Sequence, residues 1–433
     1  MQKKKSVYRS LLLVGLFCAA GQVQAQLAPA SVADTVEIRL AEAERLFQER
    51  NLPLLMQKTN IESAKAAVIQ AKLFENPVLS LEQNIYNPNN HRYFDVTKSG
   101  QTIVALEQLV YLAGKRNKRV KVEELNRQLT EFDYYDLLRT LRFELRTSYL
   151  QLHYQLQAYN NLNQRTQAVQ QLVTAFDGQY RKGNVPLKEI TRLKALLFSL
   201  ENQKLALYSE IQQQQADLRL LTQTPATTFI IPLVDDAALD RATTGNLSYS
   251  RLLHEAQENR YDLKAAETDV QRQEAMLKYQ KSLAVPDIAI GGVYDRAGSF
   301  VQDYTGVTLS VPLPVFNRNQ GNIKIARNEI ERSKMQLQLQ QQLLENEVMQ
   351  AYQRARTSEQ LYTGFDPGFN DEFDRLIEGV TSSFARRNIS LIEFLDYYET
   401  YTESINQLLE LRNSRLRALE EINYTIGKPL INF

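Results

Sequence analysis

Tryptophan is absent from this 433-residue chain, and cysteine and histidine are scarce: the sequence has one cysteine and three histidines. The histidines, His91, His153 and His254, are far apart, so we expect surface or seam positions for them and no shared ligand set. The sequence also lacks a Gly-rich phosphate loop, a Gly-x-Ser-x-Gly motif and a His-Glu-x-x-His motif. These absences argue against an enzyme, and they predict neither a cofactor nor a metal site.

A long apolar run is also missing beyond residue 25, so the sequence offers no stretch of about 18 residues for a transmembrane helix. The first 25 residues instead have the layout of a cleaved signal peptide: four cations by Arg9, a short apolar run over 11–20, and small residues at Val23 and Ala25. A lipid anchor at Cys18 is the alternative, which the bulky Phe17 before it disfavours. Cleavage would leave a mature chain without cysteine, which must be stabilised by packing or assembly.

An excess of positive charge is lacking as well. Without the four cations of the signal peptide, 47 basic residues remain against 50 acidic ones. Such a balance provides no general field that would attract nucleic acid. We therefore expect no nucleic-acid partner.

The sequence does contain an internal duplication with an offset near 205 residues. The stretch 52–77, which ends at a proline, matches 261–286, and each is followed by two short alternating segments and a helix opened by Gly114 or Gly321. The residues 180–189 match 384–393 in the same way. This pattern predicts a first repeat over 26–222, with a strand pair at 78–110 and a hairpin tip near 183. It predicts a linker over 223–250 and a second repeat over 251–433, with a strand pair at 287–313 and a tip near 388.

Each repeat carries unusually long helical stretches. Residues 115–181 contain no proline and one internal glycine, Gly178, and would extend about 100 Å as a helix. Apolar residues recur at alternating spacings of three and four, which is the seam of coiled-coil packing. In the second repeat, Pro367 is predicted to break the outgoing helix. A long soluble coiled coil would be sufficient to explain the helices when they are considered by themselves.

The four short segments between the helices require a different explanation. Residues 78–86 and 305–311 alternate apolar and polar side chains, and 102–110 and 287–294 do so less regularly. Such alternation is typical of a β-barrel wall between lipid and water. Four strands cannot close a barrel, because bacterial outer-membrane barrels begin at about eight. Three copies would supply twelve strands and two copies eight, so the sequence predicts an oligomer.

The sequence resembles the TolC family of outer-membrane efflux proteins over essentially the whole mature chain. The duplication, the order of proline, strands, glycine and helix, and the terminal Ile-Gly-Lys-Pro at 426–429 carry the resemblance, and residues 309–326 are similar to the heavy-metal branch of the family. The resemblance implies a mainly α fold with membrane β-structure. It implies a homotrimer whose long coiled-coil α-barrel lies in the periplasm and whose twelve-stranded β-barrel lies in the lipid of the outer membrane. It further implies a periplasmic adaptor and an inner-membrane pump of the resistance-nodulation-division type as partners.

The resemblance also implies roles for residues at the two tips. The breaks between helices resemble the tips that meet the adaptor: Lys182, Gly183, Asn184, Val185, Arg386, Arg387, Asn388, Ile389 and Ser390. Arg387 stands where the family commonly has glycine, which leaves the geometry of this turn open, and Asn388 is a candidate for the residue of positive φ.

Just beyond the tips, Glu393 and Asp396 match the inward-facing acidic pair that constricts the closed end in the family, and Glu189 has the matching place in the first repeat. The pair is three residues apart and hence on one helical face. Six such carboxylates in a trimer would favour cations at a narrow opening. A solvated helix face is the alternative interpretation.

The function expected from these observations is an exit duct that passes substrates, metal cations by the resemblance, from adaptor and pump to the exterior. An outer-membrane channel for drug efflux or type I secretion is the alternative within this class. A periplasmic coiled-coil adaptor is the alternative from another class, but it would have one hairpin beside a β-rich domain and not two matched hairpins with strand pairs.

Overall fold

The computed structural model of the chain describes residues 34–243, 245, 247–298, 301–364 and 369–431, and of 369–374 it describes the backbone only. The predicted signal peptide over 1–25 and the predicted helix break at Pro367 lie outside the described residues. The elements of the first half are, in chain order, β1 (Asp34–Arg39), α1 (Leu40–Arg50), α2 (Leu52–Lys72), β2 (Val78–Gln83), β3 (Tyr86–Asn87), β4 (Arg92–Tyr93), β5 (Thr102–Val110), α3 (Lys115–Arg181) and α4 (Leu187–Thr222). Those of the second half are β6 (Thr228–Leu233), α5 (Asp236–Arg241), α6 (Tyr249–Asn259), α7 (Tyr261–Leu283), β7 (Ile288–Asp295), β8 (Tyr304–Ser310), α8 (Gln320–Thr363), α9 (Phe369–Ala385) and α10 (Leu391–Ile426).

Two long helical hairpins dominate the fold. The helix α3 has 67 residues and is therefore about 100 Å long. Its first residue follows Gly114, whose φ of +64° gives the chain a left-handed turn that glycine adopts without strain. The returning helices α4 and α10 have 36 residues each, as expected for equivalent elements of a duplication. The mainly helical fold with long hairpins that was expected from the sequence is confirmed.

The four strands of the largest sheet come from both halves of the chain. Its order is β2-β5-β7-β8, with antiparallel neighbours throughout. The two halves meet where β5 pairs with β7, with Val110 opposite Ile288. Large apolar side chains on the outer strands are exposed, among them Leu81 on β2 and Val307 on β8. Among the described residues, these outer strands therefore have no apolar cover, and each has one edge that pairs with no other strand.

A second, small sheet joins the beginning of the described chain to its middle. The strand β1 pairs in parallel with β6, inside the segment 223–250 that the sequence predicted as a linker. The hydroxyl oxygen of Tyr149 on α3 lies 2.8 Å from the backbone carbonyl oxygens of both Ile38 and Leu233, so its single proton is shared between the two acceptors. This contact fixes the sheet against the middle of α3.

The buried side chains follow the helices in separate clusters. One cluster surrounds the small sheet, and a second surrounds the C-terminal part of α10, where Leu419 and Ile422 are fully buried. A third lies at the far end of the hairpins and contains Phe176, Phe384 and Phe394. Within the ranges that the structure describes, none of the helices is long and apolar enough to cross a membrane.

Candidate functional site: the two helical tips

The first tip is the turn between α3 and α4. Gly183 has a φ of +75°, its amide donates to the carbonyl of Tyr180 (2.8 Å), and the amide of Asn184 donates to the carbonyl of Gln179 (3.0 Å). This pair of bonds satisfies the last carbonyls of α3, as in the common helix ending with a left-handed residue. Pro186 then precedes the first turn of α4. The turn thus needs a residue of positive φ at position 183, which explains the glycine there.

The second tip repeats this turn with a different residue. Arg387 has a φ of +63°, its amide donates to the carbonyl of Phe384 (2.9 Å), and the amide of Asn388 donates to the carbonyl of Ser383 (2.9 Å). Asn388, the candidate for this role, does not adopt a positive φ. The geometry of the turn assigns that conformation to the position equivalent to Gly183, so Arg387 takes it in spite of its side chain.

The side chain of Arg387 connects the two tips. Its Nη2 atom donates to the backbone carbonyl of Asn184, 3.3 Å away. A glycine at position 387 could not make this bond. The other predicted tip residues divide into two groups: Val185 and Ile389 pack against the apolar cluster beneath the tips, whereas Lys182, Gly183, Asn184, Arg386, Arg387, Asn388 and Ser390 are exposed.

Glu393 has a structural role in the first turn of α10. Its backbone amide donates to the Ser390 hydroxyl (3.2 Å), and its carboxylate accepts from the Ser390 amide (2.8 Å), which together form a capping box. The hydrogen bond from the backbone amide of Ser390 is the main cause that lowers the pKa of Glu393, and the Ser390 side chain adds to it. The carboxylate is therefore held ionised and turned toward the tip.

Asp396 lies one turn further along α10 and is exposed, as Glu393 is. The side chains of Phe394 and Tyr398 are buried on the other side of this helix. Both acidic residues therefore lie on the solvent face of α10. Glu189, in the matching place on α4, is half-buried and follows Pro186, which has no side-chain oxygen, so that α4 lacks a capping box.

Cations dominate the surface of the tips. Asp177 accepts from Lys194 (3.0 Å) and from Arg181 (2.9 Å), and the hydrogen bond from Lys194 is the main cause that lowers the pKa of Asp177. In the part of the chain that the structure describes, neither Lys182 nor Arg386 has a carboxylate within 4.0 Å. The exposed end of the two hairpins therefore presents uncompensated positive charge.

Aromatic rings support the tips from below. Phe384 of α9 stacks on Phe176 of α3, with 4.9 Å between ring centroids, and on Phe394 of α10, with 4.5 Å. Tyr398 extends this stack, and its hydroxyl donates to the carbonyl of Arg165 (3.0 Å). These rings are not among the residues predicted from the sequence. Phe394 and Tyr398 are four residues apart on α10, and this spacing could have indicated that they form a buried pair.

The histidines are not brought together. His91 contacts the hydroxyl of Tyr86, His153 contacts Asp236, and His254 contacts Glu258. Among the described residues, no three side chains of His, Cys, Asp or Glu lie close enough to one another to hold a metal ion.

Comparison with known proteins defines the class of this chain. Its fold matches that of a membrane protein from Pseudomonas aeruginosa, with a TM-score of 0.73 and 15% identity over 89% of this chain and 93% of the other. It also matches the CmeC outer membrane channel of Campylobacter jejuni, with a TM-score of 0.71 and 15% identity over 90% of this chain and 85% of the other. The fold is therefore that of the outer-membrane channels.

Sequence similarity to a known family covers part of the chain. Residues 252–428 match the model of the family described as outer membrane efflux protein. The cobalt-zinc-cadmium resistance protein CzcC of Cupriavidus metallidurans is 20% identical over 390 residues, which cover 87% of each chain. The second repeat of the chain is therefore similar to the outer membrane efflux protein family. This similarity agrees with the expectation of an efflux channel that is not an enzyme.

Proposed function

We propose that three copies of this chain form the exit duct of a tripartite efflux system, with the helical hairpins in the periplasm. The observation that carries the proposal is the attachment of hairpins about 100 Å long to a four-stranded sheet whose apolar side chains are exposed. Exposed apolar surface of this extent marks a contact with lipid or protein. The family match of the second repeat supports the same assignment.

The sheet is the part that we assign to the lipid of the outer membrane. Unpaired strand edges are not tolerated in lipid, and β2 and β8 each present one. Pairing of β8 with β2 of the next copy would satisfy these edges. Three copies would form a wall of twelve strands. In each copy, the two repeats predicted at 26–222 and 251–433 would contribute one strand pair each.

The tips are the part that we assign to the adaptor. They are the exposed ends of both hairpins, they share one turn geometry, and Arg387 links them. Their unpaired cations favour an adaptor surface that carries acidic side chains. An inner-membrane pump of the resistance-nodulation-division type would then supply the substrate through that adaptor.

Metal cations are the substrate class that we propose. The support is the similarity to CzcC, a cobalt-zinc-cadmium resistance protein, over 87% of the chain. A conduit needs low affinity along its wall so that ions leave again. Drug efflux and type I secretion are the alternatives, and genes for a metal-type pump and adaptor beside this one would distinguish them.

The acidic face of α10 is our candidate for the gate. The carboxylate of Glu393 accepts a hydrogen bond from Ser390. The carboxylate of Asp396 forms no hydrogen bond or ion pair with any of the described residues. Asp396 is therefore the residue whose charge would act most directly on an ion that passes the tips. Glu189 of α4 would add a carboxylate at the same level.

The gate is tested by single-channel recording in planar bilayers. We expect the Glu393→Gln/Asp396→Asn variant to show a higher conductance or a weaker preference for cations, because charge and constriction at the tips are both reduced. Asp396→Asn alone should weaken the cation preference more than Glu393→Gln alone. The matched control is Glu331→Gln, which removes an exposed carboxylate near the start of α8, away from the tips. Unchanged conductance and selectivity in the double variant would refute the role of this pair.

A further inference from the structure

A band of residues surrounds the edge at which the sheet joins the helices. The register places Val78, Val110, Ile288 and Ser310 at this one edge, because each strand is antiparallel to its neighbours. Helices α2 and α7 end here, and α3 and α8 begin here. We define the junction band as residues 72–77, 111–122, 278–287 and 311–327.

The side of the junction band next to the sheet is apolar and exposed. Phe316 is 90% exposed, Leu313 is 78% exposed and Phe74 is 72% exposed. Val315, between β8 and α8, is exposed as well, and we call these four apolar side chains the collar. Large apolar side chains at such exposure gain stability only if lipid or another protein covers them.

The junction band is also strongly basic. It contains eleven lysines and arginines, five of them within residues 115–121, but the acidic residues in it are Glu75 and Asp287 alone. Asp287 is already neutralised by Lys115, whose Nζ lies 2.6 Å from the carboxylate and which is buried. Glu75 accepts a hydrogen bond from the hydroxyl of Tyr111 (2.6 Å). The band therefore has an excess of nine positive charges in a chain that is nearly neutral.

All but one of the cations of the junction band lack carboxylate partners among the described residues. Apart from Lys115, no lysine or arginine of this band forms an ion pair within the described part of the chain, whereas several exposed cations elsewhere pair along their own helices, as Arg332 does with Glu329. Lys118 donates to the carbonyl of Ala113 (2.9 Å) and Arg318 to that of Pro314 (3.3 Å). Their charges therefore remain available to an external anion.

Aromatic and basic groups in the junction band are in direct contact. The guanidinium of Arg116 lies over the ring of Phe74, 4.0 Å from its centroid. A flat apolar ring with a cation on it suits the boundary between acyl chains and headgroups, where the ring contacts hydrocarbon and the cation contacts phosphate. A patch that only faced water would not need the collar, and one that only faced acyl chains would not tolerate the cations.

We propose that the junction band binds anionic phospholipid headgroups of the leaflet nearer to the helices, with Arg116, Lys118 and Arg318 as ligands of the phosphodiester and Phe74 and Phe316 in the hydrocarbon. This inference rests on the proposed function, since it requires the sheet to lie in lipid. Basic residues beside a membrane are attracted to anionic lipids, each by a factor of about five in affinity. The headgroup recognised is an anionic one, such as phosphatidylglycerol, in preference to a zwitterionic one.

The test uses the full-length protein reconstituted into two kinds of vesicle. One contains phosphatidylethanolamine only, and in the other phosphatidylglycerol makes up about a third of the lipid. Lipids that remain bound after extraction are counted by native mass spectrometry. We expect the wild type to retain phosphatidylglycerol at least about fivefold above its share in the vesicle. The Arg116→Gln/Lys118→Gln/Arg318→Gln variant should lose this enrichment, and the Arg116→Lys/Arg318→Lys variant should keep most of it.

The matched control carries three neutralised cations at the other end of the hairpins, Lys182→Gln/Lys188→Gln/Arg386→Gln, and should retain phosphatidylglycerol as the wild type does. Equal enrichment in the junction-band variant and the wild type would overturn the proposal. So would displacement of the lipid by free inorganic phosphate, which would indicate a small-anion site. Insertion into both vesicles without enrichment contradicts this inference alone, whereas failure to insert into either contradicts the proposed function.

Discussion

Phe394→Ala is expected to loosen both tips together. The side chain of Phe394 is fully buried, and its ring lies between those of Phe384 and Tyr398 in the stack beneath the tips. Truncation of a buried phenylalanine costs about 3–5 kcal/mol, because apolar contacts are lost and a cavity remains. Hydrogen exchange of the backbone amides of 165–176 and 384–398 should reveal a fall of this size in the free energy of local opening.

The control for this prediction is Phe198→Ala on α4, at a side chain that is 71% exposed. We expect less than about 0.5 kcal/mol from it, since little apolar surface is buried there. A similar small change for Phe394→Ala would mean that the aromatic stack does not hold the tips. In that case the apolar cluster that includes Val185 and Ile389 would have to be stabilised elsewhere along the hairpins.

Arg260→Ala should destabilise the middle of the molecule by about 3–5 kcal/mol, the cost of removing one partner of a buried ion pair. Arg260 is 2% exposed and its guanidinium binds Asp262 on α7 and Glu347 on α8. Burial by itself would lower the pKa of Arg260, but the hydrogen bonds and charges of Asp262 and Glu347 raise it. Without Arg260, Asp262 would keep Gln340 (2.8 Å) and the more distant Arg139 as its partners on other helices.

The measurement for Arg260 is the free energy of unfolding in denaturant, compared among three variants. Arg332→Ala, which removes the exposed pair with Glu329, should cost less than about 1 kcal/mol. The double variant Arg260→Met/Asp262→Leu should recover most of the stability, because no unpaired charge remains buried. If the double variant were as unstable as Arg260→Ala, packing and not charge would be the role of Arg260.

The long elements of this fold could be predicted from local sequence. The absence of proline from 115–181 gave the bounds of α3 correctly, and period-2 alternation located the strands of the large sheet within one to three residues at each end. The pair of β1 and β6 was missed. Its two strands are separated by nearly two hundred residues, and six residues of alternating pattern carry too little signal to indicate a partner at that distance.

Some features of the tips could be predicted from the sequence and others could not. Alignment of 180–189 with 384–393 placed the two turns at equivalent positions, where the structure has them. The bond from Arg387 to Asn184 could not be foreseen, because it depends on how the two hairpins lie side by side. The capping box of Glu393 could have been: a serine three residues before a glutamate at the start of an apolar run is its signature. The roles of these residues in gating and docking stay predictions.

The measurement that tests the trimeric duct most directly combines mass and conductance. Detergent-extracted protein would be weighed by light scattering and then incorporated into a planar bilayer. A trimeric duct should give particles of three chains that form cation-preferring channels. A water-soluble monomer or dimer without channel activity would contradict it, and a periplasmic coiled-coil adaptor would then be the better assignment.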